Sequence, residues 1–159
     1  MSPLVVGIGN PSRGDDGIGP LVADRVARLR LRDVEVVVHD EPLALIEHLA
    51  LHDDVVVVDA AWSRCGHQPG TVHVVRVDAT PLRSGDPVRG SHGLGVVEAV
   101  ELARALDRLP QRLTIVGVEA RVFDMGATMT RQVQDCVDDA VRAVVAAIFR
   151  THRHTGHDR

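Results

Sequence analysis

Residues 4–20 constrain the fold of this chain most, because they place two carboxylates where a strand turns into a helix. Residues 4–8 form an apolar, β-branched run of strand length, and a 3.6-residue apolar repeat over residues 21–29 predicts a helix after it. The acidic pair Asp15-Asp16 falls between them. Open α/β sheets bind their ligands at this position, between the carboxyl end of a strand and the start of a helix.

The acidic pair has an ordinary explanation and a functional one. A helix N-terminus favours negative charge, so we expect Asp15 to cap the helix. A cap needs only one acid, which leaves Asp16 for another purpose. The surrounding glycines indicate that something approaches the backbone closely, because so much conformational freedom is costly to order. These glycines are Gly7, Gly9, Gly14 and Gly17.

The remaining pattern predicts a single three-layer α/β/α domain over residues 1–150 with a five-stranded, mostly parallel sheet. Only about ten residues separate the third and fourth strands, too few for a parallel crossover, so strand four should be antiparallel. The polar, histidine-containing residues 151–159 are expected to form a flexible tail. Further strands are predicted at residues 34–39, 55–59, 71–77 and 113–118, and helices at 42–51, 92–109 and 130–149.

Composition excludes several classes of function. The 18 basic residues are scattered among 22 acidic ones, which gives no cationic stripe for nucleic acid. All basic residues are arginine, so the chain has no phosphate-loop lysine and no Schiff-base lysine. Cys65 and Cys136 form no Cys-x-x-Cys pair and are expected to be reduced thiols. The first apolar run is too short for a signal peptide or a membrane span. We expect a cytoplasmic monomer with neither nucleic-acid nor membrane partners.

Three polar residues are expected to meet at one edge of the sheet. Asp16 lies in the first turn, Asp59 closes the third strand, and His92 opens a helix. The polar loop over residues 78–91 is long enough to run back past the fourth strand and bring His92 to that edge. Each residue alone could be a turn cap or a solvated side chain. Together, two carboxylates and one imidazole make an incomplete shell for a divalent transition metal such as nickel, zinc or iron.

A nucleophilic side chain is less well supported. The chain has no Gly-x-Ser-x-Gly elbow, and Ser91 directly precedes His92, which is not the usual triad relation. Cys65 with His67 remains an alternative, although nothing in the sequence indicates an activated thiol there.

These motifs together resemble the hydrogenase maturation endopeptidases, over residues 4–149. The match rests on Gly-Ile-Gly-Asn at residues 7–10 with the acidic pair, Val-Asp-Ala at 58–60, Ser-His-Gly-Leu-Gly at 91–95 and, more loosely, residues 113–118. The resemblance implies that Asp16, Asp59 and His92 are the metal-binding and catalytic set. The family often has Glu where this chain has Asp16. It also often has proline after the acid that matches Glu119, where this chain has Ala120, so no role is carried over to Glu119.

The resemblance implies an aspartyl-type peptidase that removes a C-terminal extension from the large-subunit precursor of a nickel-iron hydrogenase. Cleavage would follow nickel insertion, and the three residues would recognise nickel carried by the precursor. Other divalent metals could occupy the site in the isolated protein. The resemblance does not define the group that attacks the peptide bond: a metal-bound water, a carboxylate-activated water and another group are all compatible with it.

Three other functions share some of these sequence features. A non-proteolytic nickel carrier would use the same ligands, and only cleavage of a precursor separates it from a peptidase. Peptidyl-tRNA hydrolases share the opening up to Pro11, but they continue towards a His-Asn pair and need a basic face. A dinucleotide-binding module, with Asp40 or Glu41 as the ribose acid, fails because Ser12 stands at the third glycine of the fingerprint.

Overall fold

A computed structural model describes residues 2–62, 66–83 and 95–150 of the chain. Cys65, His92 and the tail over residues 151–159, about which the sequence made predictions, lie outside the described residues. Within the described ranges, no helix is both long and apolar enough to cross a membrane. The strands are β1 Leu4–Ile8, β2 Glu35–His39, β3 Asp54–Ala61, β4 Val72–Val77 and β5 Arg112–Glu119. The α-helices are α1 Ile18–Arg28, α2 Leu45–Leu51, α3 Val96–Ala105, α4 Arg131–Asp135 and α5 Val137–Arg150.

The strands form one sheet in the order β2-β1-β3-β5-β4. All neighbouring pairs are parallel except β4 with β5, which is antiparallel. The predicted fold class, a mostly parallel α/β sheet with an antiparallel fourth strand, is confirmed. The short connection between β3 and β4 was the reason to expect an antiparallel strand, and β4 lies at the edge of the sheet beside β5.

Apolar cores cover both faces of the sheet. One face packs against α1 and α5, and the other packs against α2 and α3. All eight residues of β3 and all five of β1 are buried, because side chains that alternate between the two faces enter a core on either side.

The predicted closing helix over residues 130–149 is wrong in one respect, because it is two helices. The chain leaves helical geometry at Cys136, whose backbone N–H bonds the carbonyl of Val133 three residues back. The buried thiol of Cys136 donates to the same carbonyl at 3.1 Å. Burial, and then the charge of Asp139, raise the pKa of this thiol to about 11, so it is not a nucleophile at neutral pH.

Candidate functional site

The acidic pair lies on a one-turn 3-10 helix, Gly14–Gly17, between β1 and α1. The glycines around it allow the chain to pack on itself. A Cβ on Gly9, whose φ is +145°, would lie 1.9 Å from the carbonyl oxygen of Asp16, and one on Gly19 would lie 2.1 Å from that of Ile8. The close approach that the glycines predicted is therefore made by the turn itself, which is seated tightly on the ends of β1 and β3.

Asp15 is wholly buried and fastens this turn to the loop that follows β5. Its Oδ2 accepts the backbone N–H groups of Arg121 at 3.0 Å and Val122 at 3.1 Å. Its Oδ1 accepts both the backbone N–H of Thr130 at 2.7 Å and the Thr130 hydroxyl at 2.9 Å. No side chain caps the 3-10 helix or α1. The prediction that Asp15 is a helix cap is wrong, because distant backbone donors take both of its oxygens.

Asp16 is less buried and is held from one side only. Its Oδ2 accepts the backbone N–H of Asn10 at 2.8 Å. Among the residues that the structure describes, no hydrogen bond reaches its Oδ1. The turn after β1 thus orients this side chain.

Asp59 lies inside β3, near its carboxyl end, and is only 6% exposed. Burial raises the pKa of this carboxyl well above its ordinary value, and the negative charge of Asp16 raises it further. A hydrogen bond with the backbone of Ala60 opposes both effects. Asp16, on the turn after β1, and Asp59, near the end of the neighbouring strand β3, therefore interact electrostatically.

The third predicted residue, His92, lies outside the described residues, so the predicted set of three remains a prediction. Within residues 2–62, 66–83 and 95–150, no group of three His, Cys, Asp or Glu side chains is placed to hold a metal ion. Two carboxylates alone are an incomplete ligand set for a transition metal.

Sequence reasoning missed a second polar cluster at the same edge. Glu119, the last residue of β5, is wholly buried. Its Oε1 lies 3.1 Å from Nε2 of His73, and its Oε2 accepts Nη1 of Arg121 at 3.1 Å. The ring of His67 stands edge-on to that of His73, with centroids 4.7 Å apart. The sequence feature that could have indicated this cluster is His73, which lies at an inward position of β4. A buried polar side chain needs a hydrogen-bond partner.

Comparison with known proteins gives a consistent result. A model of the hydrogenase maturation protease family matches residues 31–147. The hydrogenase 2 maturation protease of Escherichia coli (strain K12) is 26% identical over 151 residues, covering 93% of this chain and 91% of that protein. The hydrogenase expression/formation protein HupD of Rhizobium leguminosarum bv. viciae is 28% identical over 149 residues, covering 91% and 73% respectively. The solved structure of the hydrogenase maturating endopeptidase HybD from E. coli superposes with a TM-score of 0.73 at 25% identity, covering 95% of this chain and 94% of that one.

Proposed function

This chain belongs to the hydrogenase maturation protease family, and from that premise we propose that it removes a C-terminal extension from a nickel-iron hydrogenase large-subunit precursor. Cleavage follows insertion of nickel into the precursor. The metal is part of the substrate, and Asp16, Asp59 and His92 recognise it.

The observation that supports this proposal is the pairing of Asp16 with a buried Asp59. A carboxylate that is 6% exposed and faces a second carboxylate is unfavourable by itself, as the raised pKa of Asp59 indicates. A divalent cation reverses this effect, because it favours the ionised form of both groups. Imidazole is a suitable third ligand for nickel, and three ligands leave positions for those that the precursor supplies.

The test is processing of a nickel-loaded precursor, followed by intact mass. We expect Asp16→Asn to abolish the mass loss that the wild type produces, because the amide keeps the shape but loses the charge. The matched control is Asp24→Asn, an exposed aspartate on α1 that pairs with Arg28. We expect this control to process at the wild-type rate.

Two results would count against the proposal. If Asp16→Asn cleaves as fast as Asp24→Asn, the carboxylate pair does not recognise the metal. If the wild-type protein binds nickel but produces no mass change in any loaded precursor, the chain is a nickel carrier instead of a peptidase.

A further inference from the structure

A polar cluster of Glu119, His73 and Arg121 lies outside the set proposed to recognise the metal. Glu119 is wholly buried, and the side chain of His73 is 12% exposed. A carboxylate only accepts hydrogen bonds, so Nε2 of His73 carries the hydrogen in its contact with Oε1 of Glu119. The neutral ring then has its acceptor lone pair on Nδ1. No residue that the structure describes bonds that nitrogen.

The sheet register aligns His73 with Asp59. Gly117 of β5 is paired with Asp59 on one side and with His73 on the other. Residues paired across neighbouring strands project from the same face of a sheet. That face is the one covered by α2 and α3, because Val57 and Val75, each two residues away along its strand, belong to that core or pack against it.

Gly117, which has no side chain, lies between Asp59 and His73 in the sheet. Two strand spacings therefore separate the Cα atoms of Asp59 and His73, about 10 Å. A metal held at Asp59 would therefore lie on the same face as an imidazole whose orientation is fixed by a buried carboxylate.

We propose, on the basis of the function proposed above, that His73 is the general base and acid of peptide cleavage and that Glu119 is its positioning residue. Nδ1 of His73 takes a proton from a water molecule, and the oxygen of that water forms a bond to the scissile carbonyl carbon. The carbon–nitrogen bond then breaks, and the proton on Nδ1 passes to the leaving amine. Nickel, carried by the precursor, positions the peptide and is not consumed.

Within the part of the chain that the structure describes, three charged or titratable groups lie beside His73 or its partner: Glu119 and Arg121, from the end of β5 and just after it, and His67, from the segment before β4. Asp59 of β3 is aligned with His73 across Gly117. Arg121 is fixed on Glu119 and on the carbonyls of His67 and Ala120, so it compensates the charge of the buried carboxylate. Among these described groups, the carboxylate contact of His73 is made through Nε2, which leaves Nδ1 as the nitrogen for proton transfer.

The experiment measures single-turnover cleavage of a nickel-loaded precursor and, separately, the affinity for that precursor. His73→Gln keeps an N–H for Glu119 but cannot transfer a proton. We expect its cleavage rate to fall at least about 100-fold, the usual contribution of a general acid-base group, while precursor affinity stays unchanged. His52→Gln is the matched control, since it is the same substitution outside this cluster, where His52 contacts Glu35 at the start of β2, and we expect the wild-type rate.

Glu119→Gln provides an independent readout. The amide keeps the shape of Glu119 but removes the anion beside His73, so the protonated ring loses its partner. We expect the acidic limb of the pH–rate profile to move to lower pH, a change that a purely structural role of Glu119 would not produce. Thermal unfolding checks that each variant is folded. If His73→Gln does not fold, the pH–rate profile of Glu119→Gln tests the proposal instead.

The proposal is overturned if His73→Gln cleaves at the rate of His52→Gln, if the loss in His73→Gln lies in precursor affinity, or if Glu119→Gln leaves the pH–rate profile in place. Failure of the proposed function has a different signature, because the wild-type protein itself would then leave the loaded precursor intact.

Discussion

Replacing Asp15 by Asn should destabilise the protein strongly, although the sequence alone suggests a mild change. At a helix N-terminus Asn caps about as well as Asp. In this fold both oxygens of Asp15 accept two hydrogen bonds each, from Arg121 and Val122 on one side and from Thr130 on the other. If the NH2 group of Asn takes the place of Oδ2, it faces two backbone N–H donors; if it takes the place of Oδ1, it faces the N–H of Thr130, whose hydroxyl can turn to accept.

The magnitude follows from the bonds that are lost. A hydrogen bond to a charged acceptor contributes about 1.5–3 kcal/mol, so losing one or two costs about 1.5–6 kcal/mol. A domain of this kind has a total stability of about 5–15 kcal/mol, so the variant loses a large part of it. At about 2–4 °C per kcal/mol, the melting temperature should fall by at least about 3 °C.

The loss of stability is measured by urea denaturation and by thermal unfolding. Asp24→Asn is the control, because it removes an exposed ion pair with Arg28 that is worth about 0–1 kcal/mol. A loss below about 1 kcal/mol in Asp15→Asn would refute the reasoning, since it would mean that the loop after β5 does not depend on this carboxylate.

Three further predictions concern single substitutions. Asp59→Asn should raise the stability of the nickel-free protein at neutral pH, because burial and Asp16 raise the pKa of Asp59, so that its ionisation opposes folding. Unfolding measured at several pH values should show this gain shrink towards about pH 4, where Asp59 is protonated in the unfolded chain as well. Burial, and then the charge of His39, lower the pKa of His48, so the unfolded state binds more protons below about pH 6.5. Stability should fall as the pH drops through this range, and a His48→Gln variant that loses as much stability as the wild type would contradict the assignment. Cys65→Ala should retain processing activity, as should wild-type protein treated with a thiol reagent, and an inactive Cys65→Ala variant would move the reaction to that thiol.

The parts of this fold that depend on residues close together in the sequence could be predicted from it. The apolar run at residues 4–8 forms β1 with those bounds, and the short connection after β3 fixed the direction of β4. The break at Cys136 could not be read in this way. The carbonyl of Gln132 lies so close to Gly70 that a Cβ there would be 2.4 Å away, so this part of the helix is packed against a segment remote in sequence.

The site shows the same division. Asp16 and Asp59 could be proposed as site residues because each lies at or near the end of an apolar strand, and parallel strands bring their carboxyl ends to one edge. The role of Asp15 was missed because its partners lie more than 100 residues further along the chain. The contact between His73 and Glu119 joins strands whose pairing only the folded sheet reveals.

The most direct test of the central claim compares wild-type processing of one precursor with and without nickel, read by intact mass. If Asp16, Asp59 and His92 recognise nickel on the precursor, a nickel-free precursor lacks the ligand that positions its C-terminal segment. Positioning contributes up to about 7–11 kcal/mol to lowering a barrier, so cleavage without nickel should be undetectable. The account predicts loss of the C-terminal extension from the loaded precursor alone. Equal processing of the two precursors would contradict it.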